Sequence, residues 1–142
     1  MQIKIINRSN NPLPNYATEG AAGLDLRAFL ERDFVLLPQQ RALIPTGIHI
    51  ELPQGYEAQI RPRSGLAAKR GVFAIFGTID SDYRGAIHVL LYNASDVPFT
   101  IKNGERIAQM VITTYQKVQL VEVENLSETL RGEGGFGSTG LH

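Results

Sequence analysis

Short apolar-rich segments, separated by turn residues, run through most of the chain. Several alternate between apolar and polar positions, as in IHIEL at 48–52 and VEVE at 121–124. A period of two with many β-branched residues is typical of strands. The predicted strand segments are 3–6, 24–29, 34–37, 42–52, 56–62, 86–93, 99–102, 106–115 and 118–124.

Turn sequences separate these segments at intervals of roughly 8–12 residues, as in sandwiches and barrels. PQG at 53–55 and KNG at 102–104 place glycine where a positive φ costs little. The single helix candidate is SGLAAKR at 64–70, which ends at Gly71. The pattern predicts an all-β sandwich of antiparallel strands over residues 1–126. The strand pattern fails after that point, which predicts a separate glycine-rich arm over 127–142.

Composition narrows the functional class. The 142 residues fit one domain with a sizeable core, since 43% are apolar and 20% are charged. Fourteen basic and fourteen acidic residues cancel, which disfavours non-specific nucleic-acid binding. The chain has no cysteine, so disulfides and thiolate metal sites are excluded. It has no long apolar run and no signal-peptide pattern at its start, so we expect a cytoplasmic protein without a membrane partner.

The stretch RPRSGLAAKRG at 61–71 carries the parts of a phosphate site. A helix that begins near Ser64 presents free N–H groups and the positive end of its dipole. The Ser64 hydroxyl, the small Gly65 and the forked cation of Arg63 would add to that site. A capped surface helix with solvated arginines explains the same residues.

The stretch GTIDSDYRG at 77–85 places acidic residues between two apolar segments, which predicts a hairpin. A carboxylate held at a strand end, such as Asp80, can act as a general base on a water molecule. Tyr83 can stack on a ring. A solvated Asp-x-Asp turn is the alternative.

Two further strands carry isolated polar residues. In AGLDLRA at 22–28, Asp25 either faces solvent or reaches a divalent metal, which prefers oxygen ligands. In GERIAQM at 104–110, alternation places Arg106 and Ala108 on one face, with Ile107 and Gln109 on the other. Gln109 then needs a partner or a ligand, unless it lies at an edge open to water.

The C-terminal stretch RGEGGFGSTG at 131–140 combines flexible backbone with functional groups. Arg131 can clamp a phosphate, Phe136 can stack on a base, and the backbone near Ser138 can wrap an anion. Three anion-binding stretches and two aromatic residues together indicate a nucleotide ligand. The three histidines are scattered along the chain, which disfavours a histidine-based zinc site.

Taken in order, these five stretches resemble the five motifs of the trimeric dUTP pyrophosphatases, the dUTPases, from about residue 12 to residue 140. The resemblance implies a distorted jelly-roll β-sandwich or barrel. It implies a homotrimer whose active sites are each assembled from three subunits, with the C-terminal arm closing over a neighbour's site. It also implies Mg²⁺-dependent hydrolysis of dUTP to dUMP and pyrophosphate, which keeps uracil out of DNA and supplies dUMP for dTTP synthesis.

The third motif implies most of the chemistry. By resemblance, Asp80 is the base that activates the water attacking the α-phosphorus, and Tyr83 packs on the deoxyribose and excludes a 2′-hydroxyl. The uracil edge is read by the backbone around Gly77, Thr78, Ile79 and His88.

The other motifs imply contacts to the phosphates and the metal. Arg63, Ser64 and Gly65 hold the phosphates of a neighbouring subunit's substrate. Gln109 contacts the phosphate region, and Asp25 reaches Mg²⁺ through water. From the arm, Arg131 clamps the γ-phosphate, Phe136 covers the uracil, and Gly137, Ser138 and Thr139 line the phosphates.

The chain departs from the family pattern near the base pocket. Ala74 replaces an asparagine that contacts uracil in many bacterial members, and Phe76 stands where smaller residues are frequent. A dCTP deaminase shares the fold, but Leu90 occupies the position of its catalytic glutamate. A binding or signalling module without turnover is a further alternative, against which the retained Asp80 argues.

Overall fold

Eleven short strands and one helix form the regular structure in the computed structural model, which describes residues 1–135. The elements are β1 (Lys4–Asn7), β2 (Leu24–Arg27), β3 (Phe34–Leu36), β4 (Arg41–Pro45), β5 (Ile48–Glu51), β6 (Tyr56–Arg61), α1 (Ser64–Arg70), β7 (Val72–Ala74), β8 (Gly77–Ile79), β9 (His88–Asn93), β10 (Phe99–Ile101) and β11 (Arg106–Thr114).

All strand pairs in this part of the chain are antiparallel. One sheet has four strands in the order β2-β11-β6-β8, and another has three in the order β4-β9-β7. Two further pairs are β1-β5 and β10-β3. The predicted all-β fold of jelly-roll type is confirmed, although the sheets formed by residues 1–135 do not close into a barrel.

The core lies between the inward faces of these sheets. In β6, Ala58 and Ile60 are buried while the alternate residues are partly exposed, and Val89 and Leu91 of β9 follow the same rule. This is the period of two that the sequence pattern predicts. Full burial of an aliphatic side chain such as Leu91 contributes about 1.5–3 kcal/mol to folding.

Two polar residues, Thr46 and Asn93, are buried with that core, and Asn93 is fully buried. Its amide nitrogen donates to the carbonyls of Leu36 and Val97 at 3.0 and 2.8 Å. Its oxygen accepts from the backbone and hydroxyl of Ser95 at 3.0 and 2.7 Å. Because each amide group of Asn93 has partners, its burial carries little desolvation penalty. The side chain therefore ties the end of β9 to β3.

The helix agrees with its prediction. It covers Ser64–Arg70 and ends at Gly71, which has a φ of 64° and donates its N–H to the Ala67 carbonyl. Lys69 and Arg70 lie in the last turn, where cations complement the helix dipole.

Other expectations need correction. The predicted segment 42–52 is two strands, because the chain turns at Gly47, which has a φ of 72°. The strands β7 and β8 were not predicted from the pattern. The strand predicted over 118–124 is wrong: residues 115–135 contain no helix or strand, and the apolar side chains of 118–124 are exposed. Alternation predicts which side chains of 118–124 share a face, but this segment pairs with no other strand among the described residues.

Candidate active site

A cavity of about 300 Å³ opens where β8 leaves the four-stranded sheet and the chain crosses to β9. Six residues of the predicted site line it together, namely Gly77, Thr78, Ile79, Asp80, Tyr83 and His88. The apolar side chains of Leu43, Ile60 and Ile87 complete much of its wall. The structure thus gathers one predicted group of site residues in a single concave surface.

The loop between β8 and β9 is not the predicted hairpin. β8 pairs with β6, with Gly77 opposite Ile60, whereas β9 pairs with β4 and β7 in the other sheet. The loop therefore spans two sheets, and the cavity forms in the gap between them. Asp80 is the first residue after β8, and its carboxylate is exposed.

Hydrogen bonds within the loop fix the position of Tyr83. Its backbone N–H donates to the Asp80 carbonyl at 3.1 Å, and its hydroxyl donates to the Ala86 carbonyl at 3.0 Å. Arg84 donates through Nη1 to the Ser81 carbonyl at 2.7 Å. Asp80 and the tyrosine ring are thereby held at one turn of the chain.

A second group of site residues lies on the face shared by β2 and β11. The Asp25 carboxylate, whose side chain is 12% exposed, receives Arg63 Nε on Oδ1 at 3.1 Å. Its Oδ2 receives Arg106 Nη1 at 3.0 Å. Such charge-assisted contacts are stronger than neutral hydrogen bonds. Both oxygens of Asp25 are therefore engaged by guanidinium groups.

The register of β11 brings this group together. Gln109 lies opposite Asp25 of β2 on one side and opposite Arg61 of β6 on the other. Its Nε2 donates to the Pro62 carbonyl at 2.9 Å, and a Cβ at Gly23 would overlap its side chain. Gln109 therefore does not lie at an edge open to water.

The expected alternation in β11 does not hold. A register irregularity lies between Arg106 and Ala108, and Ile107 and Ala108 are both buried. This β-bulge places Arg106 on the same side as Asp25 and Gln109.

Within residues 1–135, the second group of site residues lies outside the cavity at Asp80. Asp25, Arg63, Ser64, Gly65 and Gln109 are absent from the lining of the Asp80 cavity. Ser64 and Gly65 are exposed at the start of α1.

The predicted arm residues are described only in part. Arg131 is exposed and donates through Nε to the Gly134 carbonyl at 2.9 Å. Phe136, Gly137, Ser138 and Thr139 lie outside the described residues.

The sequence model of the dUTPase family matches residues 9–140. The chain belongs to the dUTPase family. A deoxyuridine 5′-triphosphate nucleotidohydrolase of Finegoldia magna is 56% identical, with 99% of each chain covered. One from Cytophaga hutchinsonii is 58% identical over 97% of this chain and 91% of its own length. The dUTPase of Staphylococcus bacteriophage 80alpha, solved with dUpNHpp, superposes with a TM-score of 0.91 at 28% identity and 99% coverage of both chains.

The acidic residues of this dUTPase-family chain indicate how a metal ion would be bound. Residues 1–135 contain no cluster of three or more His, Cys, Asp or Glu. Asp25 has both oxygens on arginines, which disfavours direct coordination. The donor set fits a Mg²⁺ that is bound mainly by substrate phosphates and water, as is usual for this ion. No helix in the described part of the chain is long and apolar enough to cross a membrane.

Sequence reasoning missed Arg106 as a partner of the dUTPase-family site residues. Regular alternation placed it on the face opposite Gln109, and only the bulge reverses this. Two features of the sequence are compatible with a bulge here: the glycine at the start of GERIAQM and the two consecutive apolar residues at 107–108. Neither predicts a bulge unless the register with β2 is known.

Proposed function

We propose that this dUTPase-family protein hydrolyses dUTP to dUMP and pyrophosphate. The observation that supports this most directly is the cavity at the end of β8, which joins an exposed carboxylate at Asp80, a fixed aromatic ring at Tyr83 and strand backbone. These are the elements needed to hold a nucleoside and to activate water beside its first phosphate. The reaction keeps uracil out of DNA and supplies dUMP for dTTP synthesis.

The base is read by backbone. β8 is the last strand of its sheet, so one edge of Gly77, Thr78 and Ile79 is not used by β6. N–H and C=O groups at such an edge can pair with the polar edge of uracil, as they would pair with another strand. His88 also lines the cavity and contributes backbone. Close backbone pairing of this kind rejects the methyl group of thymine by steric exclusion.

The loop between β8 and β9 binds the deoxyribose and the attacking water. The Tyr83 ring packs on the deoxyribose and leaves no space for a 2′-hydroxyl. Asp80 accepts the proton of the attacking water, and a well-placed general base of this type accelerates a reaction by about 10²–10⁴. Proton removal makes the water a better nucleophile toward the α-phosphorus, and pyrophosphate leaves. The remaining acceleration comes from aligning the water with the α-phosphate and stabilising charge.

The phosphates are bound by the second group of site residues, on β2, β11 and the start of α1, and by the C-terminal arm. Arg63, Ser64 and Gly65 bind phosphate oxygens at the start of α1, and Gln109 contacts the same region. Arg131 clamps the γ-phosphate, while Phe136 covers the uracil and Gly137, Ser138 and Thr139 line the phosphates. Bound Mg²⁺ would neutralise part of the triphosphate charge, with Asp25 reaching the ion through water.

The active protein is a homotrimer in which subunits share active sites. Two observations support this. Among the described residues, the proposed phosphate ligands Arg63, Ser64, Gly65 and Gln109 do not line the Asp80 cavity, which fits a site completed by another subunit. Residues 115–135 expose many apolar side chains, including Val118, Leu120 and Leu126. The cytoplasmic location stays a prediction from the sequence.

One experiment tests the proposed activity against its rivals. Purified protein with Mg²⁺ is incubated in parallel with dUTP, dCTP, dTTP and UTP, and pyrophosphate and ammonia are measured. We expect pyrophosphate from dUTP alone. Ammonia release from dCTP would favour the deaminase, although Leu90 in β9 is apolar at the position of the required acid. Tight binding of dUTP without any product would favour the binding module.

A further inference from the structure

The guanidinium of Arg63 contacts the backbone of Arg106 directly and the side chain of Arg106 indirectly, through Asp25. Arg63 Nη1 donates to the backbone carbonyl of Arg106 at 3.1 Å. Arg63 Nε contacts one oxygen of Asp25, and Arg106 Nη1 holds the other oxygen of the same carboxylate. Arg63 is therefore oriented both by the backbone of β11 and, through Asp25, by the Arg106 side chain.

We propose that Arg106 is a positioning residue for phosphate binding, acting through Asp25 on Arg63. The proposal rests on the proposed role of Arg63 as a phosphate ligand. Arg106 itself need not touch the substrate. Its side chain occupies one oxygen of Asp25, so that this carboxylate orients Arg63 without neutralising it.

Charge explains why the second arginine matters. Two guanidiniums share one carboxylate, so the cluster of Asp25, Arg63 and Arg106 carries one net positive charge. Without Arg106, Asp25 and Arg63 form an electrically neutral pair, and the attraction for a polyphosphate falls. Arginine has five N–H donors, and only two of those on Arg63 are used in these contacts. The side chains of Arg63 and Arg106 are 30% and 44% exposed, so a ligand can reach the remaining donors.

The test separates phosphate binding from nucleoside binding. Arg106→Gln is compared with wild type for calorimetric binding of dUpNHpp and of deoxyuridine, and for kcat and KM with dUTP. We expect dUpNHpp affinity to fall about tenfold. Deoxyuridine affinity should stay within about twofold, because it has no phosphate to engage Arg63. Arg106→Lys keeps the charge and should recover part of the dUpNHpp affinity.

Arg27→Gln is the matched control. Arg27 lies opposite Arg106 on β2 and donates to the Gly104 carbonyl at 2.7 Å rather than to Asp25. It should alter both affinities by less than about twofold. Equal losses of dUpNHpp and deoxyuridine binding in Arg106→Gln, or the same selective loss in Arg27→Gln, would overturn the proposal.

A double-mutant cycle tests the route through Arg63. If Arg106 acts through Arg63, Arg106→Gln should add little to the loss of dUpNHpp affinity in Arg63→Gln. Fully additive losses would contradict this route. A wild-type protein that binds dUpNHpp but does not hydrolyse dUTP would refute the proposed activity, while the binding comparison would still decide the role of Arg106.

Discussion

The phenol ring of Tyr83 lies so close to Gly85 that a Cβ at this glycine would overlap three ring or hydroxyl atoms. The Tyr83 hydroxyl also donates to the Ala86 carbonyl at 3.0 Å. The glycine thus leaves the space that the ring occupies, and the hydrogen bond keeps the ring there. Any side chain at position 85 has to displace the aromatic wall of the cavity.

We therefore expect Gly85→Ala to reduce sugar discrimination. The displaced Tyr83 ring would no longer block the space of a 2′-hydroxyl, so the ratio of kcat/KM for dUTP over UTP should fall about tenfold or more. Both substrates are assayed with the purified variant. Gly20→Ala is the control, since its added methyl meets open space. An unchanged ratio in Gly85→Ala would contradict the assignment of Tyr83 to the sugar.

Asp80→Asn should separate binding from turnover. Asparagine keeps the size of the side chain but cannot take a proton from water, so single-turnover hydrolysis of dUTP should slow about 10²–10⁴-fold. Affinity for dUpNHpp should change little. Asp82→Asn, in the same loop but outside the cavity lining, is expected to stay near the wild-type rate. A wild-type rate of hydrolysis in Asp80→Asn would show that another group is the general base.

Two asparagines with the same local geometry give a stability comparison. Asn7 accepts from the backbone and hydroxyl of Ser9 as Asn93 does from Ser95, but Asn7 is only partly buried. Asn93→Ala removes the side-chain donor from the carbonyls of the buried Leu36 and the exposed Val97, and should cost about 2–4 kcal/mol of unfolding free energy. Asn7→Ala should cost about 1 kcal/mol. Urea unfolding of both variants measures the difference, and equal losses would show that burial of Asn93 adds nothing.

Removal of everything after Leu130 should abolish most activity without unfolding the protein. Residues 115–135 contain no helix or strand, and the side chains near Leu130 are exposed. The thermal midpoint should therefore shift by only about 1–2 °C. The same variant should lose most dUTP hydrolysis, because Arg131 and Phe136 are removed. Phe136→Ala in the full chain separates the ring from the rest of the arm. If the truncated chain is unfolded at room temperature, the arm contributes to the stability of the core, and this prediction is wrong.

Alternation in the sequence was sufficient for strands with one buried face, such as β5, β6 and β9. It was insufficient for β7 and β8, which are three residues long and too short to show a period. The segment 118–124 shows the opposite failure. Alternation identifies which side chains can be buried together, but a strand also needs a neighbour for its backbone hydrogen bonds.

The grouping of candidate residues was predictable where they lie close together in the sequence. Asp80 and Tyr83 share one loop, and that loop forms one cavity. The contact between Asp25 and Arg63 joins β2 to the start of α1, which is far away in sequence, and it depends on β11 pairing with β2 and β6. Arg106 required the bulge as well. Register is a property of paired strands, so a single strand read alone does not contain it.

The bulge at Ile107 limits insertions and deletions in β11. Arg106 and Gln109 are three positions apart, an odd number that would send them to opposite faces of a regular strand. The extra residue, itself buried, restores them to one face. A substitution in β11 leaves this register in place, whereas inserting a single residue between Arg106 and Gln109 would shift both the buried side chains and the Arg106–Asp25 contact at once.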